Sequence, residues 1–129
     1  MAKKCVIITA SGFQDEEVVY PYYRLMEERH SVEVATKDGA VVYGKYGVPA
    51  RATMATTDLK SSNFDCVILP GGFEAPDRVR LLPEVLKFVQ EMDQQKKLVA
   101  AICHGPWIMI SAEVCKGRKM TAFWSIEVD

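Results

Sequence analysis

An α/β domain built on a mostly parallel sheet is the fold this sequence predicts, and three observations carry that prediction. Short apolar runs recur along the chain, at Cys5–Ile8, Val32–Ala35, Cys66–Leu69 and Leu98–Ile102. Three of the four lack the polar alternation of a strand with one wet face, so they suit strands buried on both faces. Longer amphipathic stretches separate them, the pattern of a sheet covered by helices on both sides.

The elements follow in order. After the first run, Val18, Val19, Tyr22, Leu25 and Met26 recur at helical spacing and end near Arg29-His30, with Pro21 expected to bend this helix or confine it to its first turns. Asp38 to Leu59 is broken by Gly39, Gly44, Gly47 and Pro49. It reads as a hairpin-type excursion with short strands at Val41–Tyr43 and Ala50–Met54. A second helix starts at Pro83, a favourable first position, with Glu84 at its positive end and Val85, Leu86, Val89 and Met92 on one face. A third begins at Pro106 and carries Ile108, Met109, Ile110 and Ala112. Without repeats or linkers, residues 1–129 read as one domain.

Sixteen basic and seventeen acidic residues give a net charge of −1 with no basic run, which excludes nucleic acid and anionic membranes as expected partners. The apolar run after Met1-Ala2-Lys3-Lys4 is too short for a signal segment or a membrane span, so a cytoplasmic location is expected. With four cysteines, no Cys-x-x-Cys pair and only His30 and His104, neither a zinc site nor another metal or organic cofactor is expected. Cys5 and Cys66 open apolar runs and read as small buried hydrophobes; Cys115 reads as structural too.

Cys103 differs. In Leu98-Val99-Ala100-Ala101-Ile102-Cys103-His104-Gly105-Pro106 a buried strand ends at Ile102 and a helix can start at Pro106, so three residues must reverse the chain. That is the geometry of a nucleophile elbow, which projects one side chain over the carboxyl edge of the sheet. Gly105 removes a side chain that would crowd the turn. Helix-start N–H groups, the helix dipole and a nearby carboxylic acid should depress the thiol pKa. Pro70-Gly71-Gly72 breaks another strand at the same edge, where the Gly72 amide and the His104 amide can form an oxyanion hole. Glu16 and Glu17 lie in Ser11–Glu17 after the first strand; by spacing alone they are helix-start charges facing water.

These residues carry a family resemblance. Ala101–Pro106, Ile110–Val114, Gly117–Lys119, Phe13–Glu17 leading to Tyr20–Tyr22, and Leu69–Gly72 leading to Ala75–Arg80 resemble the PfpI-type branch of the ThiJ/PfpI superfamily over essentially the whole chain. The resemblance implies a flavodoxin-like three-layer α/β/α sandwich acting as a homodimer or higher homo-oligomer. It implies Cys103 as nucleophile with His104 beside it, Glu17 as the acid bonded to the sulfur, Asp77 as an acid reaching the histidine of a neighbouring subunit, and Gly72 as an oxyanion donor. Relatives carry a second carboxylate where Gln14 stands, the loop Gly72–Asp77 looks one residue longer than usual, and relatives continue past Ser125–Asp129 through further strands to a closing helix.

The implied activities are carbonyl chemistry on a small aldehyde (glyoxalase- or deglycase-type, with Glu17 shuttling the proton of a Cys103 hemithioacetal), or peptide hydrolysis by Cys103, His104 and a neighbour's Asp77. A non-enzymatic alternative is a redox sensor or chaperone in which Cys103 is oxidised and Glu17 stabilises the product. A glutaminase reading fits poorly, because no histidine follows His104 to serve as base. The residues leave the role of His104 open between base and interface histidine, since neighbours at a tight turn usually point apart.

Overall fold

A computed structural model describes residues Met1–Asp129. The main sheet has five strands: β1 (Lys4–Ile8), β2 (Ser31–Thr36), β5 (Met54–Ala55), β6 (Cys66–Leu69) and β7 (Leu98–Ala101), in the order β5-β2-β1-β6-β7. Every pairing in it is parallel. The helices are α1 (Asp15–Glu27), α2 (Glu74–Val79), α3 (Pro83–Gln94) and α4 (Pro106–Ser111).

Strand alternation sends neighbouring residues to opposite layers. Val6 and Ile8 join α3 (Val85, Phe88, Val89, Met92) and α4 (Ile108, Met109) in the larger core. Ile7, between them, meets Val18 of α1, Phe13, Val42 and Ala50 on the other face. This is the expected three-layer sandwich with its mostly parallel sheet. The chain builds outward from β1 to β2 and β5, then returns across β1 to β6 and β7. The order therefore reverses between β1 and β6, and ligands of open α/β sheets bind at the carboxyl ends of strands beside such a reversal.

Several boundaries differ from the sequence expectation. β7 stops at Ala101 and forms the sheet edge, so it is not buried on both faces: Leu98 and Ile102 are 61% and 50% exposed. Periodicity reports apolarity, but not how far the α1 layer extends across the sheet. The expected strand Ala50–Met54 divides. A small antiparallel pair, β3 (Val42–Tyr43) with β4 (Pro49–Ala50), precedes β5, which joins β2 at the opposite edge. The buried Asp15 carboxylate pins this hairpin, accepting from the Tyr46 and Val48 amides at 2.9 Å each. α1 runs through Pro21 without ending there. The loop expected over Gly72–Asp77 is largely α2.

Each of α1, α3 and α4 closes in the same way, with a left-handed residue just past its end: Arg29, Lys96 and Glu113. The amides of His30, Lys97 and Val114 reach back to Leu25, Met92 and Met109 carbonyls, the hydrogen-bond pattern of a Schellman stop. Cys5 and Cys66 lie opposite one another on β1 and β6, both buried, as expected of structural cysteines; burial pushes the Cys66 thiol up to about 12. No helix is long and apolar enough to cross a membrane.

Candidate active site

Three loops meet at the carboxyl edge of the sheet: the one after β1, the one after β6 and the turn after β7. Cys103 occupies the last with φ +59, a left-handed conformation unusual for a residue with a Cβ. The strain is that of a nucleophile elbow, and its support is visible. The Ile102 amide donates to Leu69 O at 3.2 Å, the Gly105 amide to Ile102 O at 2.8 Å, and the Phe123 amide to Cys103 O at 2.8 Å.

Gly105 itself has φ −52, ordinary helical backbone, so its glycine is required by space and not by conformation. A Cβ there would run into Leu69 O and lie 2.8 Å from Ile102 O. Both are backbone atoms already fixed by hydrogen bonds, Leu69 O by the Ile102 amide and Ile102 O by the Gly105 amide. Gly105→Ala is therefore expected to destabilise the protein by ~3 kcal/mol, read as a lower urea midpoint. A change below ~0.5 kcal/mol would mean that the elbow is looser than described.

The β6 loop brings backbone to the sulfur. Gly71 is where the groups converge: a Cβ on it would sit 2.6 Å from Cys103 Cβ, 2.6 Å from Glu17 Oε2 and 3.0 Å from the His104 amide nitrogen. The Gly71 N–H donates to Glu17 Oε2 at 2.7 Å and holds that carboxyl beside the thiol. Gly72, at φ +76, is pressed against the β1 loop, where a Cβ would collide with Gly12 O. Sequence reasoning named Gly72 and passed over Gly71. The Pro-Gly-Gly signal contained both, but only the packing shows that the first admits the carboxyl and the second admits the neighbouring loop.

Glu17 is therefore not a helix-start charge facing water; it is half-buried and turned onto the site, while Glu16 is exposed. Burial raises its pKa, partly opposed by the Gly71 and Cys103 hydrogen bonds, and the Glu16 charge raises it slightly further. Because folding raises this pKa, the stability it confers belongs to low pH and is lost as pH climbs through the folded value.

The expected depression of the Cys103 pKa is not what the fold produces. Burial raises it first and the Glu17 carboxylate second, while the backbone amides of Gly72 and His104 pull it down. The helix start contributes less than expected because its amides are occupied: those of Gly105 and Trp107 bond Ile102 O and His104 O inside the turn, and Pro106 has none. The Glu17 charge thus opposes ionisation of the thiol. With Glu17 protonated, the repulsion disappears and a carboxyl O–H can donate to the thiolate. The amides of Gly72 and His104 remain the donors for an anion formed next to the sulfur.

His104 does not point away from its neighbour. Its Nδ1 lies 3.2 Å from Cys103 Sγ. Burial lowers the imidazole pKa, which favours the neutral ring. Bare, Nδ1 accepts the thiol proton; carrying hydrogen, it donates to the thiolate. Asp77 is not part of this constellation within the chain. It stands exposed on α2, and its carboxylate makes no hydrogen bond or ion pair. Gln14 bonds Glu16 at 3.0 Å through its amide nitrogen. No three His, Cys, Asp or Glu side chains are grouped to hold a metal ion. A cavity of about 1070 Å³ lies beside the elbow, between α4 and the Met120–Asp129 segment, and reaches the site only through Pro106 and Phe123.

The chain is similar to known proteins over nearly its whole length. The sequence model of the DJ-1/PfpI family matches residues 3–129. Deglycase PfpI of Pyrococcus furiosus is 41% identical over 126 residues, which are 98% of this chain and 75% of that protein. Protein/nucleic acid deglycase 2 of Escherichia coli is 34% identical over 131 residues, covering 100% of this chain and 76% of that protein. Among solved structures, a two-domain protein of Anabaena variabilis containing DJ-1/ThiJ/PfpI-like and ferritin-like domains superposes with a TM-score of 0.95 at 36% identity. That match covers 98% of this chain and 37% of the larger one.

Proposed function

The chain belongs to the DJ-1/PfpI family, and from that premise we propose that it is a cysteine-dependent enzyme acting on reactive carbonyl compounds. The carrying observation is the convergence of Cys103 and the Glu17 carboxyl on Gly71, with the Gly72 and His104 amides beside the sulfur. The sulfur adds to the aldehyde carbon of a compound such as methylglyoxal, forming a C–S bond as the carbonyl π pair moves to oxygen. The amides of Gly72 and His104 stabilise that oxygen. Glu17, whose proton affinity burial raises, takes the thiol's proton, returns it to that oxygen to make a hemithioacetal, and shuttles it onward. Redistribution of hydrogen within the adduct gives a thioester, and water cleaves it to a hydroxy acid, returning the thiol. No cofactor takes part. Removal of a sugar-derived adduct from an amine would share the first intermediate, consistent with the relatives named as deglycases.

Incubating the protein with methylglyoxal and assaying lactate tests this directly. Turnover above the buffer rate is expected; its absence under conditions where the protein is folded sinks the proposal.

The Cys103–His104 contact also favours a second reading, cysteine peptidase chemistry with His104 as base. In that reading Asp77 of a neighbouring copy would orient the histidine, so it depends on a homodimer or larger homo-oligomer. A fluorogenic peptide assay paired with the solution mass decides it: a peptidolytic monomer contradicts the shared site.

A further inference from the structure

The orientation of His104 matters. If the plane of its ring swings aside, Nδ1 leaves the sulfur. In the fold described here no carboxylate or carbonyl fixes it, its one side-chain hydrogen bond being the contact with Cys103 itself. What surrounds it is aromatic. The Phe123 ring stacks on the imidazole with centroids 4.4 Å apart and planes 25° from parallel. Trp107 packs against the same imidazole at 5.0 Å.

Both aromatic rings are held by other groups. The Phe123 backbone amide bonds Cys103 O at 2.8 Å, so the stacking ring is tied to the residue whose sulfur the histidine meets. Trp107 Nε1 donates to Asp129 Oδ2 at 2.9 Å, and Arg80 lies 5.4 Å over the Trp107 ring while its Nε donates to Ser111 Oγ at 2.8 Å. We infer that Phe123 is a positioning residue: by stacking on His104 it holds Nδ1 against the Cys103 sulfur, the task that a carboxylate performs in a Cys-His-acid arrangement. Stacking fixes the plane and position of the imidazole, and the contact with Cys103 Sγ then selects the Nδ1 edge. The inference rests on the reading of Cys103 as nucleophile, but its geometry can be measured without any substrate.

Phe123 is 38% exposed and lies in neither core cluster, so shortening it opens no cavity in the interior. The experiment compares Phe123→Ala, Phe123→Leu and Phe123→Tyr with the parent and with His104→Gln. Imidazole ¹⁵N resonances, assigned by their loss in His104→Gln, should report loss of the Nδ1 hydrogen bond in Phe123→Ala and Phe123→Leu and its retention in Phe123→Tyr. Turnover should fall about tenfold in the first two with KM little changed, and recover in the tyrosine variant. Phe123→Ala should cost nothing further in a His104→Gln background. Unmoved imidazole resonances, or a loss that adds fully to that of His104→Gln, overturn the inference. If the parent turns over neither aldehyde nor peptide, the functional proposal fails by itself and the resonances still decide whether Phe123 orients His104.

Discussion

Cys103→Ala is expected to reduce lactate formation from methylglyoxal to the background rate, a loss on the order of 10³-fold or more. The other three thiols cannot substitute. Cys5 and Cys66 are sealed between strands, and Cys115 follows α4 with its pKa raised by burial and only partly offset by Arg118. The fold should survive the change, because Cys103 belongs to neither core cluster and alanine meets the same left-handed backbone as cysteine. Circular dichroism and the urea midpoint supply that control. Cys115→Ala should retain activity. Lactate formation persisting in folded Cys103→Ala would remove the sulfur from the mechanism and leave the elbow without its proposed role.

Glu17→Gln is expected to move two observables in opposite directions. The carboxylate raises the thiol pKa and, when protonated, serves the adduct as its proton source. Glutamine keeps an oxygen for the Gly71 amide but cannot relay a proton. Turnover should therefore fall by about 10²- to 10⁴-fold, the usual weight of a general acid–base group. Alkylation of Cys103 by iodoacetamide at neutral pH should become several-fold faster, because a charge that disfavoured the thiolate is gone while the Gly72 and His104 amides stay. The pH dependence follows the same sign: in the parent, alkylation rises toward high pH as the raised thiol ionises, and in Glu17→Gln the curve shifts to lower pH. Equal turnover in the two proteins, or slower alkylation of the variant, would show that Glu17 does not govern the sulfur.

The strands were legible because a segment buried on both faces has little choice but to be apolar. Cys66–Leu69 was bounded correctly from composition alone, and β1 and β2 to within a residue at either end. α3 announced its start through Pro83, although the buried Phe88 of its core face was not singled out. Apolarity alone puts β7 too deep and gives no sign of α2, since neither the width of the helical layer nor a six-residue helix leaves a periodic trace. At the site, the Cys-His-Gly-Pro turn marks the elbow, where the glycine at 105 is a matter of room. Glu17 could be distinguished from Glu16 only by resemblance, because two adjacent carboxylates at a helix start look alike until the helix is docked.

The alternation of strand and helix, the elbow at Cys103 and the glycines beside it are written into the order of residues, since these follow from burial and from local steric limits. Tertiary structure alone decided that Glu17 turns inward onto Gly71, that the thiol pKa rises and does not fall, that His104 faces the sulfur, and that Phe123, twenty residues along the chain from Cys103, lies on that imidazole. The physical reason is the range of the forces involved. Backbone preference acts between neighbours, whereas desolvation, Coulomb repulsion and ring stacking depend on groups that only the folded chain brings within a few ångströms of one another.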